Sequence, residues 1–307
     1  MKSVLLFPGQ GSQSVGMMNG FDSNVVKEVF DMGSDIFGED LLDLIKSDND
    51  KINQTIYTQP IMFLSGYATY LLLKEKKSSL QVDYVAGHSL GEITAACVAG
   101  VFSVDTAVKI VQKRAQLMQN AVPAGEGAMA AILGLEDNVV EEICKTLQST
   151  GVIEPVNYNS PGQIVVAGEK KLIEQSLEKF KDSGAKRALL LPVSVPSHCS
   201  LMRLAAEDFG SYLNDFEFND ADIPVVQNVN ATDVVDKNLI KENLVAQLFN
   251  PVKWTASIKY LEKQGVNIFI ESGPGKVLWG LNRRITKSED IKHFTINSDE
   301  ALNELSN

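Results

Sequence analysis

Val82-Asp83-Tyr84-Val85-Ala86-Gly87-His88-Ser89-Leu90-Gly91-Glu92 reads as a short apolar strand that stops at a glycine and passes into the alanine-rich stretch from Ile93 to Ala99. The junction carries the pattern Gly-x-Ser-x-Gly, whose meaning depends on a strand before it and a helix after it. Both are present. A serine at so sharp a turn is pushed out at the edge of a sheet, and the glycines flank it because side chains there would strike neighbouring backbone. The amide of Leu90 then points to where the oxygen of a carbonyl attacked by Ser89 would gather charge. A chance strand–turn–helix junction is the competing reading, and the flanking pattern argues against it.

On the N-terminal side, Val4 to Phe7 is a second short strand, closed by Pro8-Gly9. Helical patterns cover 24–37 and 58–76, the latter ending in Lys74-Glu75-Lys76-Lys77, where cations suit a helix C-terminus. On the C-terminal side, Ser103 is placed to cap a helix that runs to about Asn120. From Gly127 to Ser194 the rhythm changes. Strands at 128–133, 153–158, 163–167 and 187–193 and helices at 137–148 and 171–182 give the order βαββαβ of a ferredoxin-like unit. Beyond it come a helix at about 199–215, a strand near 225–229, helices near 238–249 and 254–264, and a strand at 267–271 before Ser272-Gly273-Pro274-Gly275. Alternating strands and helices predict an α/β fold with a mainly parallel sheet covered on both faces. Residues 1–125 and 196–307 are expected to form this large domain, and 126–195 a subdomain inserted into it.

A serine oxygen is a weak nucleophile at neutral pH and needs a base. The chain has three histidines. His88 adjoins Ser89 at a tight turn, so the two side chains diverge. His293, among Asp290, Lys292 and Thr295, is expected on the solvated surface. His198, in Val193-Ser194-Val195-Pro196-Ser197-His198, follows the last strand of the insert and precedes a helix, and is the best candidate by elimination. No acidic third member can be assigned, and a backbone carbonyl could orient the base without leaving a trace in the sequence.

The composition sets the class. The 307 residues are 44% hydrophobic and 22% charged, as in an ordinary globular protein. Lysines and arginines number 28 against 39 acidic residues, a formal charge of −11. That excludes broad binding to nucleic acid or to anionic lipid, which the surface would repel. Cys97, Cys144 and Cys199 lack CxxC spacing, so neither a disulfide framework nor a thiolate metal site is expected, only reduced packing residues. The apolar start, Val4 to Phe7, is too short for an export signal. The stretch Pro60 to Leu73 is interrupted by Ser65, Gly66, Tyr67, Thr69 and Tyr70 and falls short of the ~18 apolar residues of a membrane span. A cytoplasmic protein is expected.

Five motifs then stand together: Phe7-Pro8-Gly9-Gln10-Gly11-Ser12-Gln13, Gly87 to Glu92, Asn157 to Gly168, Val195-Pro196-Ser197-His198 and Glu271 to Lys276. In order and spacing the chain resembles the malonyl-CoA:acyl carrier protein transacylases of fatty acid synthesis over nearly its whole length. The acyltransferase domains of polyketide synthases share most of these motifs. The resemblance implies a hydrolase-like α/β domain with a ferredoxin-like insert. It implies Ser89 as the nucleophile that carries the malonyl ester, His198 as its base, and the amides of Gln10 and Leu90 as the oxyanion hole. By the same resemblance Gln247 orients the histidine through its main-chain carbonyl, and Arg114 anchors the free carboxylate of malonate. Malonyl-CoA and an acyl carrier protein are the implied partners; no cofactor and no metal is implied, and a monomer is expected.

The sequence supports Arg114 independently. On the helix from Val104, the residues Val104, Ala107, Val108, Val111, Ala115 and Met118 form one apolar stripe, and Arg114 falls at its edge. The alternative is a side chain that snorkels to solvent. For the carrier, an acidic protein in this pathway, Lys276, Arg283, Arg284 and Lys287 form a run without acids, and Lys186 with Arg187 is a second possibility. Rival functions are a serine esterase or thioesterase, which would need no Arg114, and a nucleotide-binding module. The latter is weak because Gly9-Gln10-Gly11 is followed by Ser14 where a third glycine is required.

Overall fold

The computed structural model describes residues 1–193 and 195–305; Ser194, inside the stretch before His198, lies outside the described residues. The first part of the chain runs β1 (Lys2–Phe7), α1 (Asn24–Phe37), α2 (Leu41–Leu44), α3 (Thr55–Lys76), β2 (Tyr84–Gly87), α4 (Gly91–Val98) and α5 (Val104–Gln119). The middle part runs β3 (Gly127–Leu133), α6 (Asp137–Leu147), β4 (Ile153–Ser160), β5 (Gln163–Glu169), α7 (Lys170–Asp182) and β6 (Arg187–Leu190). The last part runs α8 (Arg203–Leu213), β7 (Val225–Val226), β8 (Asp233–Val234), α9 (Lys237–Ala246), α10 (Trp254–Lys263), β9 (Val266–Ser272), α11 (Val277–Ile285), β10 (Lys292–Ile296) and α12 (Asp299–Glu304).

Among the described residues two sheets result, one of order β10-β9-β1-β2-β7-β8 and one of order β4-β5-β3-β6. In the first, every pairing is parallel except that of β7 with β8. β1 lies at its centre and is apolar along its length because both faces are covered. Leu5 and Phe7 join a core cluster with α1, α3, α4 and α5, while Val4 and Leu6 pack with Trp254, Ile258 and Phe269 on the opposite face. The second sheet is antiparallel throughout. Its Ala128, Ala130, Ile132 and Val166 face α6 and α7, and Met129, Val165 and Ala167 alternate onto the other face, toward Cys199. β4 is tied to the rest of the chain by Tyr158 N donating to Val252 O at 3.0 Å and Val252 N to Val156 O at 2.8 Å.

Ser103 caps α5 as its position predicts, its hydroxyl accepting from the Thr106 amide. α3 starts a turn earlier than the pattern suggests, so that Pro60 falls beyond its first turn. The helix expected over 199–215 is a single tight turn, Ser200–Met202, followed by α8. β6 ends at Leu190, three residues early, and α11, β10 and α12 lie beyond the last element expected. His293 is not a solvated surface residue: it sits half-buried on β10, its Nε2 2.9 Å from the Thr286 hydroxyl. All three cysteines are buried and unbridged. No helix among the described residues is long and apolar enough to cross a membrane.

Candidate active site

β1 and β2 are adjacent and parallel, so their C-terminal ends open side by side on one edge of the sheet, where α/β folds place their ligands. Gln10 follows the first and Ser89 the second. The turn at Ser89 is as tight as chain geometry allows. A Cβ on Gly87 would fall 1.9 Å from the Gly91 carbonyl carbon, and one on Gly91 would fall 2.0 Å from the Phe7 carbonyl oxygen. Ser89 itself is held at φ 53°, a left-handed conformation that costs a non-glycine residue about 1–3 kcal/mol. Asn228, which follows β7, sustains it. The Ser89 amide donates to its Oδ1 at 2.8 Å, and its Nδ2 donates to the Gly87 carbonyl at 2.7 Å.

The Ser89 hydroxyl lies 2.7 Å from Nε2 of His198. The other ring nitrogen, Nδ1, lies 2.7 Å from the carbonyl oxygen of Gln247. A carbonyl can only accept, so Nδ1 carries the proton and Nε2 is left to accept from Ser89. Gln247 is the C-terminal cap of α9. Its carbonyl is therefore one of the acceptors a helix leaves unpaired, at the end where the helix dipole is negative. That end of α9 occupies the position a carboxylate would take in a serine triad. His198 is 2% exposed and also sits in the left-handed region, at φ 68°, with its amide donating to Leu248 O at 3.0 Å. Burial, and then the positive charge of Arg114, push its pKa down to about 3, so the ring is neutral at physiological pH.

Arg114 does not snorkel; it is 1% exposed and points inward from α5. Nη1 donates to Gln59 Oε1 at 2.7 Å, and Nη2 donates to Gln247 Oε1 at 2.8 Å and to Ser89 Oγ at 3.3 Å. Both amide partners are neutral, and no carboxylate pairs directly with this guanidinium among the described residues. Burial lowers its pKa to about 10, which leaves it charged. Ser89, His198 and Arg114 thus meet around one oxygen atom.

A pocket of about 190 Å³ opens over this oxygen. Gln10 and Leu90 line it, and among the described residues neither backbone amide donates to a protein acceptor. Met118 and Gln59 line the pocket, together with Met129 of β3 and Leu191, the residue after β6. His88 turns away from Ser89 as expected, its Nε2 2.8 Å from Asn159 Oδ1 and its ring against Trp254.

Three residues that the motifs left without a role belong to this site: Asn228, Gln59 and Glu92. Glu92 is wholly buried on α4, its Oε2 accepting from the Asn228 amide at 2.8 Å and from Gln247 Nε2 at 3.0 Å. Gln247 Nε2 also donates to the Ser89 carbonyl at 3.0 Å. Asn228 falls within the stretch 225–229 that the sequence reads as strand, whereas β7 ends at Val226 and leaves Asn228 two residues beyond it.

The acyl transferase domain family matches residues 4–298 of the chain. A malonyl CoA-acyl carrier protein transacylase of Staphylococcus aureus is 46% identical over 303 residues, 97% of this chain and 96% of that protein. The structure is similar to that of an acyl carrier protein S-malonyltransferase from Vibrio cholerae, at TM-score 0.94 and 43% identity over all of both chains. It is also similar, at TM-score 0.95 and 40% identity over 98% of both chains, to a malonyl-transacylase solved in complex with a type II polyketide synthase acyl-carrier protein.

Proposed function

The chain belongs to the malonyl-CoA:acyl carrier protein transacylase family of acyl transferases, and we propose that Ser89, His198 and Arg114 carry its reaction. That reaction is the transfer of a malonyl group from coenzyme A to the phosphopantetheine thiol of an acyl carrier protein, by way of a malonyl-serine ester.

The observation that carries the reading is the convergence of His198 Nε2 and Arg114 Nη2 on Ser89 Oγ, at 2.7 and 3.3 Å. The thioester of malonyl-CoA lies with its free carboxylate on Arg114, whose planar fork suits a carboxylate, and its carbonyl toward the amides of Gln10 and Leu90. His198 takes the Ser89 proton at Nε2 as Oγ attacks the carbonyl carbon. The negative charge that forms on the carbonyl oxygen is met by the two amides. The tetrahedral centre collapses, the carbon–sulfur bond breaks, and the imidazolium returns its proton to the coenzyme A thiolate. The carrier's thiol then enters the same pocket and reverses the sequence, with His198 as its base. The carbonyl of Gln247 stabilises the imidazolium in both halves.

The finer architecture reads as a hydrolase-like domain of residues 1–125 and 196–307 holding a ferredoxin-like subdomain of residues 126–195. The strand order β4-β5-β3-β6, with both helices on one face, supports the second part of this reading. On this reading the subdomain contributes Met129 and Leu191 to the pocket that Arg114 also lines. A polyketide carrier is the second reading for the partner, favoured by the likeness to the transacylase solved with such a carrier.

Intact-mass spectrometry after exposure to malonyl-CoA tests the scheme. The wild-type chain gains one malonyl group and the Ser89→Ala chain gains none; labelling that survives the substitution rules the scheme out.

A further inference from the structure

Glu92 has no part in the mechanism above, yet it is fully buried one residue behind Arg114. Gln247 joins them, its Nε2 donating to Glu92 Oε2 at 3.0 Å and its Oε1 accepting from Arg114 Nη2 at 2.8 Å. The order is chemically fixed. A carboxylate accepts and a guanidinium donates, so the amide of Gln247 can stand only one way round between them. The second carboxylate oxygen, Oε1, is buried with no hydrogen-bond partner among the described residues. One oxygen of Glu92 is therefore committed and the other is free to take a proton without breaking either bond.

Without substrate, Glu92 and Arg114 are opposite charges in one water-poor site. When a malonyl carboxylate settles on Arg114, two anions share one cation, and the surplus negative charge is expensive to hold away from water. We infer that the site binds the malonyl carboxylate together with a proton, which Glu92 takes on Oε1. The inference rests on the reading of Arg114 as carboxylate anchor. It makes Glu92 a specificity-determining residue, because a donor without a carboxylate, such as acetyl-CoA, calls for no proton.

The charged group acting on Glu92 is Arg114, from α5; Asn228 and Gln247, which reach its carboxylate from beyond β7 and from the end of α9, are neutral. Burial already lifts the Glu92 carboxyl to about 7, against the pull of its hydrogen bonds and of Arg114. His198 and His88, the other titratable groups near Ser89, are both depressed by burial. At pH 8 the free site therefore holds Glu92 as carboxylate, and substrate binding protonates it. At pH 6 it is already protonated and binding takes up nothing.

Titration calorimetry on Ser89→Ala protein, in two buffers of different ionisation enthalpy, reads the protons exchanged. For malonyl-CoA at pH 8 the expected uptake approaches one proton per ligand, and it fades toward zero at pH 6. Acetyl-CoA carries the same nucleotide and subtracts its contribution. Adding Glu92→Gln keeps an acceptor for both Asn228 and Gln247, abolishes the uptake, and holds malonyl-CoA affinity at its pH 6 level at every pH. In the Ser89→Ala protein that affinity should fall by up to about tenfold per pH unit above 7. Malonyl-CoA bound at pH 8 with no uptake beyond that of acetyl-CoA overturns the inference, as does uptake that persists in Glu92→Gln. If Glu92→Gln does not fold, a protonated-carboxyl infrared band that appears in Ser89→Ala protein with malonyl-CoA but not acetyl-CoA supports the inference, and its absence overturns it. Arg114→Ala in the same background separates the two ideas: undiminished malonyl-CoA affinity there sinks the anchor reading itself.

Discussion

The backbone amide of Ser89 donates to the side chain of Asn228, 139 residues further along the chain, at 2.8 Å. The same side chain donates back to the carbonyl of Gly87, so one amide group spans the strained turn from both ends. Asn228→Ala should therefore relax Ser89 out of φ 53° and leave two buried backbone groups unpaired. The loss is about 1–3 kcal/mol for each. Thermal denaturation should show the lowered stability, and rapid-quench measurement of the malonyl-enzyme should show a loss of acylation rate larger than stability alone explains. A variant that is destabilised but acylates at the wild-type rate would separate Asn228 from the chemistry.

Gly91 is confined by backbone rather than by side chains. Its added Cβ would meet the Phe7 carbonyl oxygen at 2.0 Å, and neither β1 nor α4 can yield without unpairing the sheet. Gly91→Ala should cost more than the roughly 1–3 kcal/mol of ordinary overpacking. Chemical denaturation, or soluble yield if the variant does not fold, checks this.

Arg114→Ala removes the charge, and Arg114→Lys keeps it but loses the fork that Gln59 and Gln247 hold. Both should reduce kcat/KM for malonyl-CoA by at least about tenfold, in line with hydrogen bonds to a charged group. Acetyl-CoA should be nearly unaffected. An unchanged ratio between the two donors in a competition assay would remove Arg114 from substrate selection.

The pH profile has a definite sign. In the proposed scheme His198 acts as a neutral base, and burial together with Arg114 depresses its pKa to about 3. The active form is thus lost only as pH falls toward that value. At saturating malonyl-CoA, kcat for acylation should show no acid limb near pH 6.5. Removing the neighbouring charge in Arg114→Ala should shift the limb upward. A limb near 6.5 in the wild-type protein would mean that water reaches the imidazole.

For the carrier, Arg283 and Arg284 on α11 are exposed, Arg283 lying over Trp279 and Arg284 donating to Gln163 at 2.9 Å. Charge reversal at both should raise KM for the carrier protein and leave the malonyl-CoA half-reaction unchanged. The reverse pattern would place docking elsewhere.

Much of this was legible in the sequence because its signals are local. The Gly-x-Ser-x-Gly turn, the Ser103 cap and the short apolar runs of β3 and β5 each lie within a few residues of what they specify. The residues that complete the site are not local. Asn228 and Gln59 carry no motif, and their partners are brought up by sheet pairing and helix packing. The resemblance points to Gln247 for its carbonyl, while its side chain, which joins Ser89, Glu92 and Arg114, has no sequence signal. His293 departs from its expected surface position for a related reason: its polar neighbours suggest solvent, but β10 pairs with β9 and draws it half inside.

The acceptor that steadies the histidine belongs to the main chain, at the end of α9. Every amino acid brings the same carbonyl, so a codon-by-codon survey of variants would register the loss of the Gln247 amide and never the loss of its carbonyl. For genome interpretation, tolerance at such a position says little about whether the atom beneath it matters. Only a change that moves the end of the helix, such as a proline or a deletion within 237–246, would expose it.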